Sequence, residues 1–333
     1  MYSQDLEPAL FKKMKSSSIK FLDLKPSVNN LLADLLEGFS KDQKSIPPKY
    51  FYDTKGSLLF DLITELDEYY PARTEIKMLY NFVDEILAKV GSGKVLIEPG
   101  SGSCTKAQIL LNKLKPSIYI PMDISGEHLL GAAKKVKEKF PWLKVHAVCT
   151  DCTKEMRLPE KFLEISKLAF FPGSTIGNFD KPDAINFLKM IVDLLGENGK
   201  LLIGVDLKKD KDILISAYDD KQGVTALFNL NLLKRINNEL KANFNLNNWK
   251  HKAIYNENIG RIEMHLVSSC EQKVTIDNNV FNFFEGESIH TENSYKYTIE
   301  EFQEMGVKAG FEVDSVWVDE NELFSIHLLK VRV

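Results

Sequence analysis

Five polar residues stand at the ends of apolar runs in the middle of the chain. They are Glu98, Asp123, Asp151, Asn178 and Asp206. In an open parallel sheet, ligands bind outside the carboxyl ends of the strands. Any one of these residues fits a helix cap or a solvated turn equally well. Five of them at five predicted strand ends favour a ligand site.

The first of these ends leads into a glycine turn. Residues 94–106 read KVLIEPGSGSCTK, which predicts a strand, a turn at Gly100 to Gly102, and a helix. A dinucleotide would need a third glycine, in the pattern GxGxxG, at the start of that helix. None is present, and Glu98 places a carboxylate beside the turn. The pattern therefore favours S-adenosylmethionine, a sulfonium cofactor, over a nicotinamide.

The alternation of elements around this turn predicts an α/β domain. Strands are expected at 94–99, 117–123, 143–150, 168–172 and 200–206, with helices near 104–115, 125–140 and 183–196. Asp123 follows the second strand, where an acidic residue takes ribose hydroxyls in such folds. After this region we expect helices in 209–240, β structure in 261–297, a helix at 299–309, and strands at 311–318 and 324–331. Residues 28–39 have helical spacing.

The composition of the chain excludes several classes of protein. The chain has 333 residues, 44% of them hydrophobic, and a net charge of −4 with a pI near 6.0. The charge balance does not predict a basic surface for nucleic acid, and the sequence has no apolar segment long enough to span a membrane. The N-terminus lacks a secretory apolar region, and four scattered cysteines indicate reduced thiols, so a cytoplasmic location is expected. Cys149 and Cys152 form a CxxC that we interpret as packed thiols. Dispersed histidines predict no metal site.

Long segments of the chain resemble the histidine-specific Nα-methyltransferases of ergothioneine biosynthesis. They are PPKYFYDTKGSLLFDLITELDEYYPARTE, IEPGSGSCTK, FFPGSTIGNF, GVDLKKD, AYDDKQGVTALFNLNLLKRIN, RIEMHL and TENSYKYT, within about residues 46–300. The resemblance implies a Rossmann-like, seven-stranded class I methyltransferase sheet, formed by 73–208 plus 297–333. It implies a second α+β substrate-binding domain, formed by 1–72 plus 209–296. The implied reaction is trimethylation of the α-amine of L-histidine to hercynine.

The resemblance also implies roles for individual residues. The cofactor-binding residues are Glu98, Gly100, Ser101, Gly102, Lys106, Asp123, Asp151 and Cys152. The substrate-binding residues are Tyr52, Tyr69, Gly173, Asn178, Tyr218, Met264, Glu292 and Ser294. Tyr69 and Asn178 are expected at the amine, Tyr218 at the carboxylate, and Tyr52, Met264, Glu292 and Ser294 around the imidazole. Tyr69, Asn178 and Tyr52 are the expected catalytic residues.

Three other functions remain open on the sequence. The first is a methyltransferase of the same family that acts on another amino acid or amine. The second is a non-catalytic S-adenosylmethionine-binding regulator, which would not need residues such as Tyr69 and Asn178 at the amine. The third is a nicotinamide oxidoreductase. The expected partner is a small-molecule amino acid, and a monomer is expected.

Overall fold

The computed structural model describes residues 19–24, 31–154, 156, 158, 162 and 165–332. Within those ranges no helix combines the length and the apolar character that crossing a membrane requires. The first three residues of the helix predicted at 28–39, and residues 1–18 of the predicted substrate domain, lie outside the described residues.

An eight-stranded, mostly parallel sheet forms the centre of the molecule. Its order is β1-β4-β3-β2-β5-β6-β13-β12, and only β13 and β12 run antiparallel to their neighbours. The strands are β1 (Ile19–Asp23), β2 (Val95–Pro99), β3 (Ile118–Asp123), β4 (Lys144–Cys149), β5 (Lys167–Phe171), β6 (Lys200–Asp206), β12 (Phe311–Val318) and β13 (Phe324–Val331). All seven predicted strands of the Rossmann-like sheet are confirmed.

Helices cover both faces of this sheet, and apolar cores fill the space between. The helices packed on it are α3 (Tyr70–Val90), α4 (Ala107–Leu114), α5 (Gly126–Lys139), α6 (Lys181–Leu195) and α9 (Ile299–Ala309). Pro71 fixes the backbone in the first turn of α3, and Gly91, with a φ of 79°, ends the helix. Near-continuous apolar strands such as β2 are typical of a sheet buried on both faces.

A separate core lies beside the sheet and joins the N-terminal segment to the insertion after β6. Its helices are α1 (Leu31–Phe39), α2 (Thr54–Glu65), α7 (Lys211–Tyr218) and α8 (Val224–Leu240). Its strands are β7 (Trp249–Asn256), β8 (Arg261–Ser268) and β11 (Ser288–Tyr295), in the order β11-β8-β7, and the hairpin β9 (Gln272–Ile276) with β10 (Asn279–Phe283). This core contains residues from 31–72 and from 214–289, which supports the two-domain division that we keep as a proposal.

The structure differs from the sequence-based expectation at one boundary of that division. Residues 19–23 were expected in the substrate domain, but β1 pairs in parallel with β4, where Ile19 lies opposite Val145. An exposed sheet edge offers backbone donors and acceptors to any nearby extended segment, and this pairing satisfies them. Strand β7 was not predicted.

Candidate active site

The glycine turn after β2 faces the carboxylate at the end of β3. Gly100 and Gly102 both have positive φ, at 64° and 49°, which glycine adopts without steric strain. Asp123 Oδ2 accepts a hydrogen bond of 2.9 Å from the backbone nitrogen of Gly102, and its Oδ1 accepts one of 2.9 Å from that of Ser125. The backbone nitrogen of Ser101 donates to the carbonyl of Met122. Asp123 therefore fixes the turn.

Glu98 is almost completely buried beneath this turn. The hydroxyl of Tyr119 donates a hydrogen bond to its carboxylate. Burial raises the pKa of Glu98 to about 8, although the Tyr119 hydrogen bond and the positive charge of Lys106 oppose the shift. A carboxyl group held in this way favours a cation as its neighbour, because a nearby positive charge stabilises the ionised form.

The end of β4 supplies the next predicted pair. Asp151 Oδ1 accepts hydrogen bonds from the backbone nitrogen of Thr153, at 3.0 Å, and from its hydroxyl, at 2.6 Å. Cys152 lies beside Gly100, whose backbone hydrogen-bonds to it, and burial raises the pKa of its thiol to about 12. Cys152 is thus an uncharged thiol at the edge of the glycine turn, as the packed-thiol interpretation predicted. All four cysteines are free.

A completely buried glutamate that we did not predict connects the cofactor turn to the loop after β5. Glu75 Oε2 lies 2.5 Å from Lys106 Nζ and accepts a hydrogen bond of 2.8 Å from the backbone nitrogen of Gly173. A Cβ atom at Gly204 would lie 2.0 Å from Glu75 Oε1. Glycine at 204 therefore makes room for this carboxylate above β6. Lys106 and Gly173, which we assigned separately to cofactor and substrate, share one partner.

Three tyrosines and one glutamate meet where the second core faces the sheet. The ring of Tyr69 lies 6.0 Å from that of Tyr218, and Tyr52 packs against Phe60 and Phe228. Burial raises the pKa of Tyr52, Tyr69 and Tyr218, and the charge of Glu292 raises each further. Four of the predicted substrate-binding residues therefore surround one space. The charge of Asp123 also raises the pKa of Tyr52, so Tyr52 lies within electrostatic range of the cofactor turn.

Glu292 is directed into that space by an irregularity in β11. His290 pairs with His265 of β8, but Glu292, two residues later, pairs with Met264, one residue earlier. Thr291 is the extra residue of this β-bulge, and its hydroxyl donates to the carbonyl of Met264 at 3.0 Å. Among the described residues none donates a hydrogen bond to the Glu292 carboxylate. Burial raises its pKa to about 7, and the charge of Lys296 opposes that shift.

Lys296 is a second buried charge that sequence reasoning missed. Its ammonium lies 2.7 Å from Asp206 Oδ2, 2.8 Å from Ser294 Oγ and 3.0 Å from the Tyr218 hydroxyl. Asp206 is held on its other side by Lys209 and by the Tyr70 hydroxyl, at 2.6 and 2.7 Å. Burial alone would raise the pKa of Asp206, but Lys296 and Lys209 outweigh it and hold that pKa below its usual value. Asp206 is therefore part of a buried ion-pair network.

Asn178 ends a short 3₁₀ turn, Thr175–Asn178, that lies against β11. A Cβ atom at Gly177 would lie 2.6 Å from the carbonyl oxygen of Tyr295, so only glycine permits this approach. The contact brings half-buried Asn178 next to the strand that carries Glu292 and Ser294. The structure thus places Tyr69 beside Tyr218, Ser294 within hydrogen-bond distance of Tyr218, and Met264 opposite Glu292. Asn178 lies in the turn against the same strand, and Gly173 is joined to Lys106 through Glu75.

The donor set fits a cationic, hydroxyl-bearing cofactor beside an amino acid. Carboxylates at the ends of two adjacent strands, Glu98 and Asp123, flank a turn whose glycines leave the backbone open to close approach. Glu75 adds a third carboxylate next to Gly173. Beyond the turn, tyrosine rings line the space in front of Glu292. Tyrosine faces attract cations, and neither part of the site has the arginine fork that phosphates favour within the described residues.

The two residues that sequence reasoning missed carry weak signals. Glu75 and Lys296 are charged residues in polar stretches, and such residues are almost always exposed unless paired. The sequence identifies Asp206 only as the end of a strand. Lys209 follows Asp206 by three residues, and this spacing indicates an ion pair. The spacing does not indicate that Lys296 is a second partner.

The chain is similar to a family of known methyltransferases. Residues 31–331 match a family model described as a histidine-specific methyltransferase, SAM-dependent. The histidine N-alpha-methyltransferase of Mycolicibacterium smegmatis is 36% identical over 323 residues, covering 95% of this chain and 99% of the relative. The ergothioneine biosynthesis protein 1 of Neurospora crassa is 33% identical over 296 residues, covering 86% of this chain and 33% of the relative. Among solved structures, the magnesium protoporphyrin IX methyltransferase of Synechocystis has 12% identity and a TM-score of 0.47, covering 86% of this chain and 98% of that one.

Proposed function

The chain belongs to the family of histidine-specific, S-adenosylmethionine-dependent methyltransferases, and we propose that it methylates the α-amine of L-histidine three times to give hercynine. The pathway served is then ergothioneine biosynthesis, as in the fungal relative's name. One observation carries the proposal furthest. The half-buried carboxylate of Glu292 lies close enough to Tyr52, Tyr69 and Tyr218 for its charge to raise the pKa of all three hydroxyls.

S-adenosylmethionine supplies an electrophilic methyl group on a positively charged sulfur. Asp123 is the proposed partner of its ribose hydroxyls, and Asp151 and Cys152 border its base. Glu98, the glycine turn and Lys106 are proposed to hold its amino-acid end. Because burial raises the pKa of Glu98 to about 8, a bound cation would favour its ionised form.

The imidazole of histidine is proposed to lie between Met264 and Glu292. A carboxylate that accepts an imidazole N–H forms a charge-assisted hydrogen bond, which is stronger than a neutral one. Met264 supplies an apolar wall directly across the strand pair. An amino acid without a donor at this place would leave Glu292 buried and unpaired, which is costly. This cost accounts for selectivity toward histidine.

Lys296 decides which hydrogen bonds its neighbours donate. It donates to the oxygens of both Tyr218 and Ser294, which occupies an acceptor position on each. The two hydroxyls lie 2.7 Å apart, so at most one of them donates to the other. At least one hydroxyl hydrogen remains for an external acceptor. We assign the carboxylate of the substrate to this place.

The amine is positioned by Tyr69 and Asn178. A protonated amine has no lone pair, so it must release one proton, ultimately to the solvent, before each of the three attacks. In each transfer an N–C bond forms, the S–C bond breaks, and its electron pair stays on sulfur. The Tyr69 hydroxyl and the Asn178 amide oxygen orient the N–H groups, and catalysis here is mainly positioning and exclusion of water. The tyrosine faces favour the quaternary ammonium product by cation–π attraction.

The proposal includes a monomeric, cytoplasmic enzyme. All of the proposed site residues come from one chain, and four free thiols suit a reducing compartment.

Mass spectrometry of the products tests the proposed reaction. Histidine incubated with the protein and S-adenosylmethionine should gain one, two and three methyl groups in turn. Dimethylated histidine should gain one. If histidine gains none and another amino acid or amine does, the alternative acceptor within the same family is correct instead.

A further inference from the structure

A second cluster of polar side chains lies on the other face of the sheet formed by β11, β8 and β7. Glu263 and His265 are two residues apart on β8, so they share a face, and His290 of β11 pairs directly with His265. One potential ligand atom from each of the three lies within 4.8 Å of the others. Met264 and Glu292 point to the opposite face. The proposed methyl-transfer site does not use this cluster.

The geometry of His265 is that of a metal ligand with a supporting partner. Its Nε2 lies 3.3 Å from Glu263 Oε2, and its Nδ1 lies 3.2 Å from Ser288 Oγ. Two ligands at ~2.0–2.1 Å from a tetrahedral zinc ion are about 3.3 Å apart. Ligating histidines donate their other ring N–H to a protein acceptor, and Ser288 occupies that position.

The other two side chains are oriented in the same manner. Glu263 Oε1 accepts hydrogen bonds from Arg261 Nε at 2.7 Å and from Asn256 Nδ2 at 3.2 Å, so Oε2 is the oxygen that faces His265. His290 Nε2 lies 3.1 Å from the carbonyl oxygen of Glu292, which leaves Nδ1 as its ligand atom. Each of the three residues thus has one atom anchored by the protein and one atom directed to the cluster.

We propose that Glu263, His265 and His290 bind a divalent transition-metal ion, with zinc as the expected occupant. Two imidazole nitrogens and one carboxylate oxygen suit zinc and its neighbours, whereas magnesium and calcium prefer oxygen ligands throughout. His290 is only partly buried, so solvent reaches the site and completes the coordination. Lys252, on the neighbouring strand β7, lies opposite His265 in the ladder, and it is exposed to solvent.

Zinc titration of the chelator-treated full chain by calorimetry tests this site. One zinc ion should bind per chain, and cobalt should give the visible spectrum of a four- or five-coordinate site. His265→Gln and His290→Gln should each weaken zinc binding at least tenfold. His128→Gln is the matched control, because His128 Nε2 lies 3.8 Å from Asp61 Oδ2 and, among the described residues, no third ligand joins that pair.

S-adenosylmethionine binding by each variant serves as the check on folding. Absence of the cobalt spectrum in the parent, or equal zinc affinity in all three variants and the parent, would overturn the proposal. The three side chains would then be a hydrogen-bonded network that stabilises the sheet. No measurement here depends on methyl transfer, so failure of the metal site and failure of the proposed function are told apart.

Discussion

Glu292 lies opposite Met264 in the β8–β11 ladder only because a β-bulge at Thr291 shifts the register by one residue. In a regular ladder Thr291 would face Met264, and Glu292 would share the face of His290 and Glu263. The bulge therefore separates the acidic side chains onto two faces. One carboxylate enters the proposed substrate space and the other joins the histidine cluster.

Replacing Glu292 by alanine should raise the KM for histidine by roughly tenfold to a thousandfold, because a charge-assisted hydrogen bond to the imidazole is lost. S-adenosylmethionine affinity should stay nearly unchanged, since Glu292 lies in front of the tyrosines rather than at the glycine turn. Steady-state kinetics and cofactor calorimetry measure the two effects. An unchanged KM would remove Glu292 from the imidazole pocket.

The kcat/KM for histidine should fall as the pH drops through about 7. Burial raises the pKa of Glu292 from 4.5 to about 7, so its acceptor form is present above that pH and is lost below it. The imidazole and amine of the substrate also titrate in this region. Glu292→Gln separates these contributions, because only the limb that belongs to Glu292 should disappear. An identical profile in this variant would contradict the assignment.

Lys296→Met should raise the KM for histidine about tenfold or more and leave cofactor affinity within about twofold, because Tyr218 and Ser294 lose the donor that orients them. Lys209→Met is the matched control. It also removes one ammonium from Asp206, but Lys209 contacts Tyr70 and not Tyr218 or Ser294. Both variants should unfold at lower temperature, because each leaves a buried carboxylate with one partner fewer.

Only the KM distinguishes the two lysines. Equal KM values for the two variants would make Lys296 a contributor to stability alone.

Asp123→Asn should weaken S-adenosylmethionine binding by about 1–3 kcal/mol, because the carboxylate acceptor for the ribose hydroxyls is reduced to an amide. Calorimetry without histidine isolates the effect. Part of the lost binding free energy comes from the glycine turn, because Asp123 also accepts hydrogen bonds from the backbone nitrogens of Gly102 and Ser125. Unchanged affinity in Asp123→Asn would exclude the ribose role.

The sheet was predictable because its strands carry their own pattern. Strands β6, β12 and β13 begin and end at the residues predicted from the sequence. Strand β1 was not predictable from its own sequence, because its five residues form a strand only through pairing with β4. Tertiary context decides such segments.

The site was only partly predictable, for a related reason. The tyrosines and Glu292 were predicted as site residues through family resemblance. The alternation of polar and apolar residues gives no signal of the bulge at Thr291, and nothing in the sequence distinguishes Lys296 from the many exposed lysines. Burial of the Lys296 charge depends on Asp206 and Tyr218, two partners that are distant from Lys296 in the sequence.

Gly177 sets how this pocket can change over evolutionary time. Because the 3₁₀ turn and β11 touch through backbone at Tyr295, the distance between Asn178 and the Glu292 strand is fixed by main-chain atoms. While Gly177 contacts the carbonyl of Tyr295, a variant cannot accommodate a larger methyl acceptor by moving the 3₁₀ turn away from β11. A new acceptor must instead be accommodated by substituting side chains such as Met264, which changes the volume of the pocket, or Glu292, which changes its charge.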